Sequence, residues 1–212
     1  MDCTLRPDRG RIDFQQIAKG AARTEVDASL SSVMADFEMP DSMTLRPTRR
    51  PVVTTAEFRT AMSSMGSSVS VVTARRGDEV VGRTVTAVLS LSANPPSVLV
   101  SIDIMSRLAD LIAKTGGFSM AVLSAEQSDI ADAFAGKVPH EARFDLGAWS
   151  RWPSGQPLLT GAVTAIDCEV IGSIETGTHV LFAGAIVEAE SHEQRAPLIW
   201  QQHGYHVLSR ID

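Results

Sequence analysis

Three short stretches of this chain hold residues whose types and spacing are suited to chemistry. The first is Gly82 to Pro96, GRTVTAVLSLSANPP. With the period of two of a β-strand, Thr84, Thr86, Val88, Ser90 and Ser92 share one face, and Val85, Ala87, Leu89, Leu91 and Ala93 the other. The second face is a core face by residue type. The first offers hydroxyls and, past Arg83, no charge. Such a row, with the strand's own N–H and C=O groups, suits the edge of a flat polar ring. Thr and Ser are also ordinary on a solvated antiparallel face. The second stretch is SIDIMSRLADL, where Ser106 and Arg107 open a predicted helix. Free N–H groups, the positive end of the helix dipole and a guanidinium form a phosphate cradle. The same two residues equally make a plain N-cap with a solvated arginine. The third is His179, alone between Gly177-Thr178 and a long apolar strand, a position where surface histidines are common.

Other signatures are missing. The chain has no Gly-x-Ser-x-Gly elbow, no Walker loop, no Gly-x-Gly-x-x-Gly after a strand and no His-Glu-x-x-His. His203 and His206 are close in sequence but lack a third ligand, so no metal site is expected.

Composition narrows the class. A chain of 212 residues fits one sizeable domain with an appendage. A formal charge of −6 argues against nucleic acid as a partner, because phosphate neutralisation needs a concentrated basic surface. No apolar run approaches the roughly 18 residues of a membrane-spanning helix, and the first residues lack the apolar segment of a secretory signal. Two distant cysteines, Cys3 and Cys168, suit a reducing compartment. The expectation is a soluble cytoplasmic protein with no nucleic-acid or membrane partner.

The elements that must position these residues follow from pattern. Residues 1–53 show no stable apolar stripe and end in LRPTRRPVV, which suggests an extension that is flexible or draped on a partner. A second segment, 54–212, carries regular signals. Thr54 and Glu57 have capping-box spacing, and Phe58, Ala61, Met62 and Met65 form a stripe expected to face a core. SVSVVTARRGDEVVGRTVTAV reads as a hairpin around a Gly-Asp turn, and SVLVSI as a buried strand. SRLADLIAKTGG reads as a helix from Ser106 to a glycine stop. FSMAVLS is another buried strand, and Ser124 with Gln127 predicts a second capping box before a helix with Ile130, Ala133 and Phe134 inward. AVTAIDCEVIGSIET and HVLFAGAIVEAE form a second hairpin. This order is not the alternating rhythm of a parallel α/β sheet; a mainly β, antiparallel sheet or small barrel with short helices fits it.

Taken in chain order, these segments resemble the short-chain flavin reductase family, the NAD(P)H:flavin oxidoreductases that supply two-component monooxygenases. The resemblance is carried by FRTAMSSMGSSVSVVT (58–73), by the Gly82–Pro96 strand, by the run from Ser97 to Ala135, by Gly161–Val170, by the Gly177-Thr178-His179 turn and by PLIWQQHGY (197–205). It implies a split antiparallel β-barrel of Greek-key, FMN-binding type, usually a homodimer, that binds FMN or FAD and uses NADH or NADPH. It implies further that Arg83, Thr84, Val85, Thr86 and Ala87 line the flavin ring, and that Ser101, Ser106 and Arg107 lie near its phosphate. Phe134 and Ala135 match a segment close to the cofactor, and His179 and Tyr205 match positions at the nicotinamide, with His179 the candidate catalytic residue. Hydride passing from nicotinamide C4 to flavin N5 needs positioning rather than an acid–base dyad. The reduced flavin would go to a flavin-dependent monooxygenase. The chain departs from the family pattern at Ala87, where Ser is common, at Leu108, where a hydroxyl is frequent, and at Thr178, where the turn has Asp. A flavin- or haem-binding barrel without reductase activity, or an enzyme that keeps its flavin for a separate substrate, remains the alternative on this fold.

Overall fold

The structure is a computed structural model that describes residues 47–211. Most of the expected N-terminal extension, residues 1–46, lies outside the described residues.

Helix α1 (Thr55–Ser63) starts at the predicted capping box: Glu57 N–H donates to Thr54 Oγ1 at 3.2 Å, and Thr54 N–H donates to Glu57 Oε2 at 2.8 Å. The strands that follow are β1 (Ser67–Ser68), β2 (Ser70–Arg76), β3 (Glu79–Val85), β4 (Val88–Ala93) and β5 (Pro96–Asp103). Helix α2 (Arg107–Thr115) precedes β6 (Gly117–Val122), and α3 (Ser128–Asp132) runs into a π-turn, Ala133–Lys137, and a 3₁₀ turn, His140–Asp145. Short strands β7 (Trp149–Arg151) and β8 (Pro157–Leu159) lead to the long pair β9 (Thr164–Glu175) and β10 (His179–Ser191). Strands β11 (Ile199–Gln201) and β12 (Gly204–His206) complete the order.

The main sheet runs β3-β2-β6-β9-β10-β5-β4, and every pairing in it is antiparallel. The mainly β expectation holds, and so do both hairpins. No ladder joins the two edge strands, β3 and β4. Yet only Thr86 and Ala87 separate them in sequence, and the three steps from Val85 to Val88 span at most about 11 Å. A flat seven-stranded sheet would hold its edges about 29 Å apart. The sheet is therefore rolled until one chain segment, pairing with β2 up to Val85 and with β5 from Val88, forms both edges.

Two cores follow from this roll. Inside lie Val72, Ala74, Val81, Val98, Val100, Ile102, Phe118, Met120, Ile166 and Phe182, with Leu108, Leu111 and Ile112 of α2 packed among them. Outside β2, β6 and β9 lie Val71, Ala121, Leu123, Ile130, Phe134, Trp152 and Leu159. Successive residues Val71 and Val72 enter opposite cores, as strand alternation requires. Helix α2 closes on Gly116 at φ 67°, a left-handed stop that suits glycine.

Three expectations need correction. Alternation does not run unbroken through Gly82–Pro96. Val85 and Val88 both pack on the inner core, so the Thr86-Ala87 link shifts the phase by one residue. Leu89 and Leu91 then point outward, 51% and 46% exposed, although the unbroken pattern assigns them to the core. On α1 none of the residues is buried; Phe58 and Met62 on the helix and Met65 just beyond it stay open because neither core includes a residue of this helix. The second capping box forms only by half. Ser124 N–H donates to Gln127 Oε1 at 3.0 Å, but Ser124 Oγ caps nothing, and α3 begins after Gln127.

Candidate functional site

The Thr86-Ala87 link is where the rolled sheet opens. Ala87 is captured by the opposite side of the roll: Ser101 N–H of β5 donates to its carbonyl at 3.1 Å. Val88 N–H turns back to the Thr86 carbonyl, also at 3.1 Å. Among the described residues the Thr86 and Ala87 amides have no hydrogen-bond partner, nor has the Thr86 hydroxyl, and both residues are exposed. Two consecutive open amides and a hydroxyl on one rim form a donor set for the acceptor edge of a flat heterocycle. By this test the residues present fit a flavin ring.

From Ser101 the rim continues to the helix start. Two residues on, Asp103 stands directly opposite His179 in the β5–β10 register. The Asp103 carbonyl accepts from Ser106 N–H at 3.0 Å and from Ser106 Oγ at 2.7 Å. Ile104 N–H donates to the Thr178 carbonyl at 3.1 Å, which ties the β9–β10 hairpin turn to the turn before α2. Within that hairpin the His179 carbonyl accepts from both Thr176 N–H and Thr176 Oγ1, at 2.8 and 3.0 Å, while Gly177 supplies φ 84°. The exposed imidazole meets Thr178 Oγ1 through Nδ1 at 3.0 Å. The structure thus brings Thr86, Ala87, Ser101, Ser106 and His179 along one continuous rim. The hydroxyl of Thr178 takes the place a carboxylate would have beside the ring.

Other predicted residues are engaged elsewhere. Thr84 Oγ1 donates to the Ala131 carbonyl at 2.6 Å, so this hydroxyl anchors α3 to β3. Val85 packs on the inner core, whereas Arg83, paired with Val72 through its backbone, is exposed and its side chain makes no hydrogen bond or ion pair with another described residue. Ser106 is buried as the N-cap of α2, accepting from Ala109 N–H at 3.2 Å. The Arg107 guanidinium does not lie over the helix start but donates to Glu79 Oε1 at 3.0 Å. Phe134 is 1% exposed; its ring packs on Phe144 at 5.0 Å and on Trp149 at 5.6 Å, behind Gly82. Its place is behind the strand rather than on the rim; Ala135 next to it is exposed.

Tyr205 also stands apart from His179. Its hydroxyl donates to Asp132 Oδ1 at 2.8 Å, and its ring packs against Trp200 at 5.0 Å. Burial, aided by the Asp132 carboxylate, pushes its phenol up to about 12. Asp132 is itself held below the usual carboxylate range, first by the Lys137 ammonium at 2.8 Å and then by Tyr205. Among the described residues no hydrogen bond, ion pair or ring contact joins Tyr205 or Asp132 to the His179 turn.

Sequence reasoning did not mark Glu79 or Asp103. Glu79 reads as one of several charges at a hairpin turn, and only tertiary structure sets it against Arg107. The position of Asp103 opposite His179 depends on the register between β5 and β10, which are far apart in the chain.

Comparisons with known proteins identify the family. Residues 62–209 match the family described as flavin reductase like domain. The chain is 39% identical over 150 residues, 70% of its length and 84% of the relative, to the FADH(2)-dependent resorcinol hydroxylase, reductase component, of Rhizobium sp.. It is 33% identical over 162 residues, 76% of its length and 89% of the relative, to FMN reductase (NADH) RutF of Ancylobacter novellus. Among solved structures, a flavin reductase of Haemophilus somnus superposes with a TM-score of 0.71 at 29% identity, covering 74% of this chain and 100% of that one. BorF, the flavin reductase component of a bacterial two-component tryptophan halogenase, gives 0.68 at 28%, again covering 74% and 100%. With most of its length matched, sheet, rim and C-terminal strands included, this chain belongs to the flavin reductase like family.

Proposed function

We propose that this chain reduces FMN or FAD with NADH and passes the reduced flavin to a flavin-dependent monooxygenase. The observation that carries the reading is the open amide pair of Thr86 and Ala87, set on one rim with Ser101, the α2 start and His179. Bound flavin supplies the hydride acceptor at N5, and the nicotinamide supplies the hydride from C4. The chain's own part is placement. Thr86 and Ala87 hold the ring edge, Val85 backs it from the core, and Ser101 fixes Ala87. The α2 start faces the phosphate, with Arg107 as the nearest cation though turned to Glu79, and the imidazole of His179 positions the nicotinamide. Exposure along the rim suits a flavin that enters and leaves. Support for NADH and for a monooxygenase partner comes from the names of the relatives, FMN reductase (NADH) and the reductase component of a resorcinol hydroxylase.

We further propose a homodimer. Leu89 and Leu91 on β4 and Ile171 and Val187 on β9 and β10 leave an apolar outer surface uncovered, and α1 adds Phe58 and Met62. Exposed patches of this kind mark association surfaces. No helix among the described residues is long and apolar enough to cross a membrane. A buried free thiol at Cys168 accords with a cytoplasmic location.

The test is steady-state oxidation of NADH by the purified protein with added FMN or FAD. Turnover far beyond the amount of protein is expected. Absence of flavin-dependent turnover overturns the reductase reading, and a retained flavin that turns over poorly favours an enzyme that keeps its cofactor.

A further inference from the structure

We propose that Glu79 is an internal competitor of the flavin phosphate for Arg107, and so sets how strongly this enzyme favours phosphorylated flavins. The proposal rests on the reductase reading and on Arg107 as the cation nearest the phosphate.

The start of α2 has few groups left for a phosphate. Ser106 Oγ has one proton, and it goes to the Asp103 carbonyl at 2.7 Å; its lone pair takes Ala109 N–H at 3.2 Å. The serine is 8% exposed, so its hydroxyl meets a ligand only by giving up the cap. The first turn also holds the carboxylate of Asp110, which opposes the positive end of the helix dipole. What remains is the backbone of the first turn and the guanidinium of Arg107.

That guanidinium is already paired. Glu79 sits at the first position of β3, 28 residues earlier in the chain, and its Oε1 lies 3.0 Å from Arg107 Nη2. The pair borders a depression of about 290 Å³ lined by Asp78, Glu79, Glu141, Arg107, His140 and Phe144. Of the carboxylates there, Glu79 meets the guanidinium, whereas Asp78 turns to Arg75 at 4.0 Å, so it is Glu79 that draws Arg107 away from the helix start. Both partners are well exposed, Arg107 at 63% and Glu79 at 45%, so the pair is weak enough to open. A phosphate at the helix start must therefore compete with Glu79 for the position and charge of this one guanidinium. Riboflavin, which has the ring but no phosphate, pays no such exchange.

The test compares FMN with riboflavin as substrates of NADH oxidation, in wild type, Glu79→Gln, Arg107→Ala and the double variant. Glu79→Gln is expected to lower KM for FMN about two- to fivefold, the range of an exposed ion pair, and to leave KM for riboflavin unchanged. In the Arg107→Ala background the same substitution is expected to do nothing. The gain should also shrink at about 0.5 M salt, where the screening length is on the order of 4 Å. Equilibrium binding of FMN, followed by quenching of flavin fluorescence, gives the same comparison without turnover. An equal change for riboflavin, no change for FMN, or a gain that persists without Arg107 each overturns the proposal. Wild-type protein that oxidises no NADH with either flavin instead overturns the reductase reading, and this proposal with it.

Discussion

The amide of Ser101 donates to the carbonyl of Ala87 at 3.1 Å, and this bond fixes where the chain changes partner from β2 to β5. It holds Ala87 by its oxygen while its own N–H and that of Thr86 stay open. The rim is thus set by backbone, which accounts for a candidate site with so few distinctive side chains.

Removing the imidazole should affect the nicotinamide more than the flavin. His179→Ala is expected to raise KM for NADH about 5- to 30-fold, the equivalent of one hydrogen bond of 1–2 kcal/mol, while KM for flavin moves little. Steady-state kinetics with each substrate varied in turn check this. An unchanged KM for NADH together with an unchanged kcat removes His179 from the site.

The Thr84 hydroxyl ties α3 to β3 through the Ala131 carbonyl. Thr84→Val keeps the shape and drops the bond, and should lower stability by about 1 kcal/mol. A urea titration that finds no difference in midpoint shows that the bond contributes nothing.

Gly82 has no room for a side chain. A Cβ there would come within 2.6 and 2.8 Å of the Phe134 ring and 2.9 Å of Thr73 Cγ2. Gly82→Ala should cost about 1–3 kcal/mol as overpacking, and trimming the ring with Phe134→Leu in the same chain should recover part of that loss. Additive losses in the double variant count against the contact.

Asp167 gives a pH dependence. It is 1% exposed, neither carboxylate oxygen completes a hydrogen bond, and burial raises its carboxyl above the ordinary value; the Ser154 hydroxyl and Cys168 amide offset this only in part. The native state therefore keeps a proton that the unfolded chain releases near 3.8. Stability from this group falls as pH rises from that value through the native one, and is level above it. Asp167→Asn should remove the slope and make the protein more stable at neutral pH. Denaturation midpoints measured across pH for both proteins decide it: equal midpoints at pH 7 refute the assignment.

The outer face of β4 should hold two copies together. Leu91→Asp is expected to convert the protein to a monomer in size-exclusion chromatography with light scattering, since a buried unpaired carboxylate opposes association. A wild type that elutes as a monomer ends this reading.

Local pattern made much of this legible. Thr54 and Glu57 announced α1, Ser106 and Gly116 bounded α2, and the two Gly-centred hairpins marked β2–β3 and β9–β10, because caps and turns are set by residues a few positions apart. Chain order and spacing sufficed for the family resemblance, and with it the rim residues Thr86, Ala87, Ser101, Ser106 and His179. Period alone misread β4, since a two-residue link shifts the phase of a strand without leaving a mark on its composition.

What the sequence by itself determined is thus most of the strands and helices, the caps of α1 and α2, and a short list of groups proposed to meet a flavin. The tertiary structure alone decided which of those groups are free. Whether Thr84 meets a ligand or Ala131, whether Arg107 meets a phosphate or Glu79, and whether Phe134 faces a cofactor or Gly82 are contests between partners far apart in the chain. Each side chain has few hydrogen bonds or faces to give, and only the rolled sheet determines which partner comes within reach.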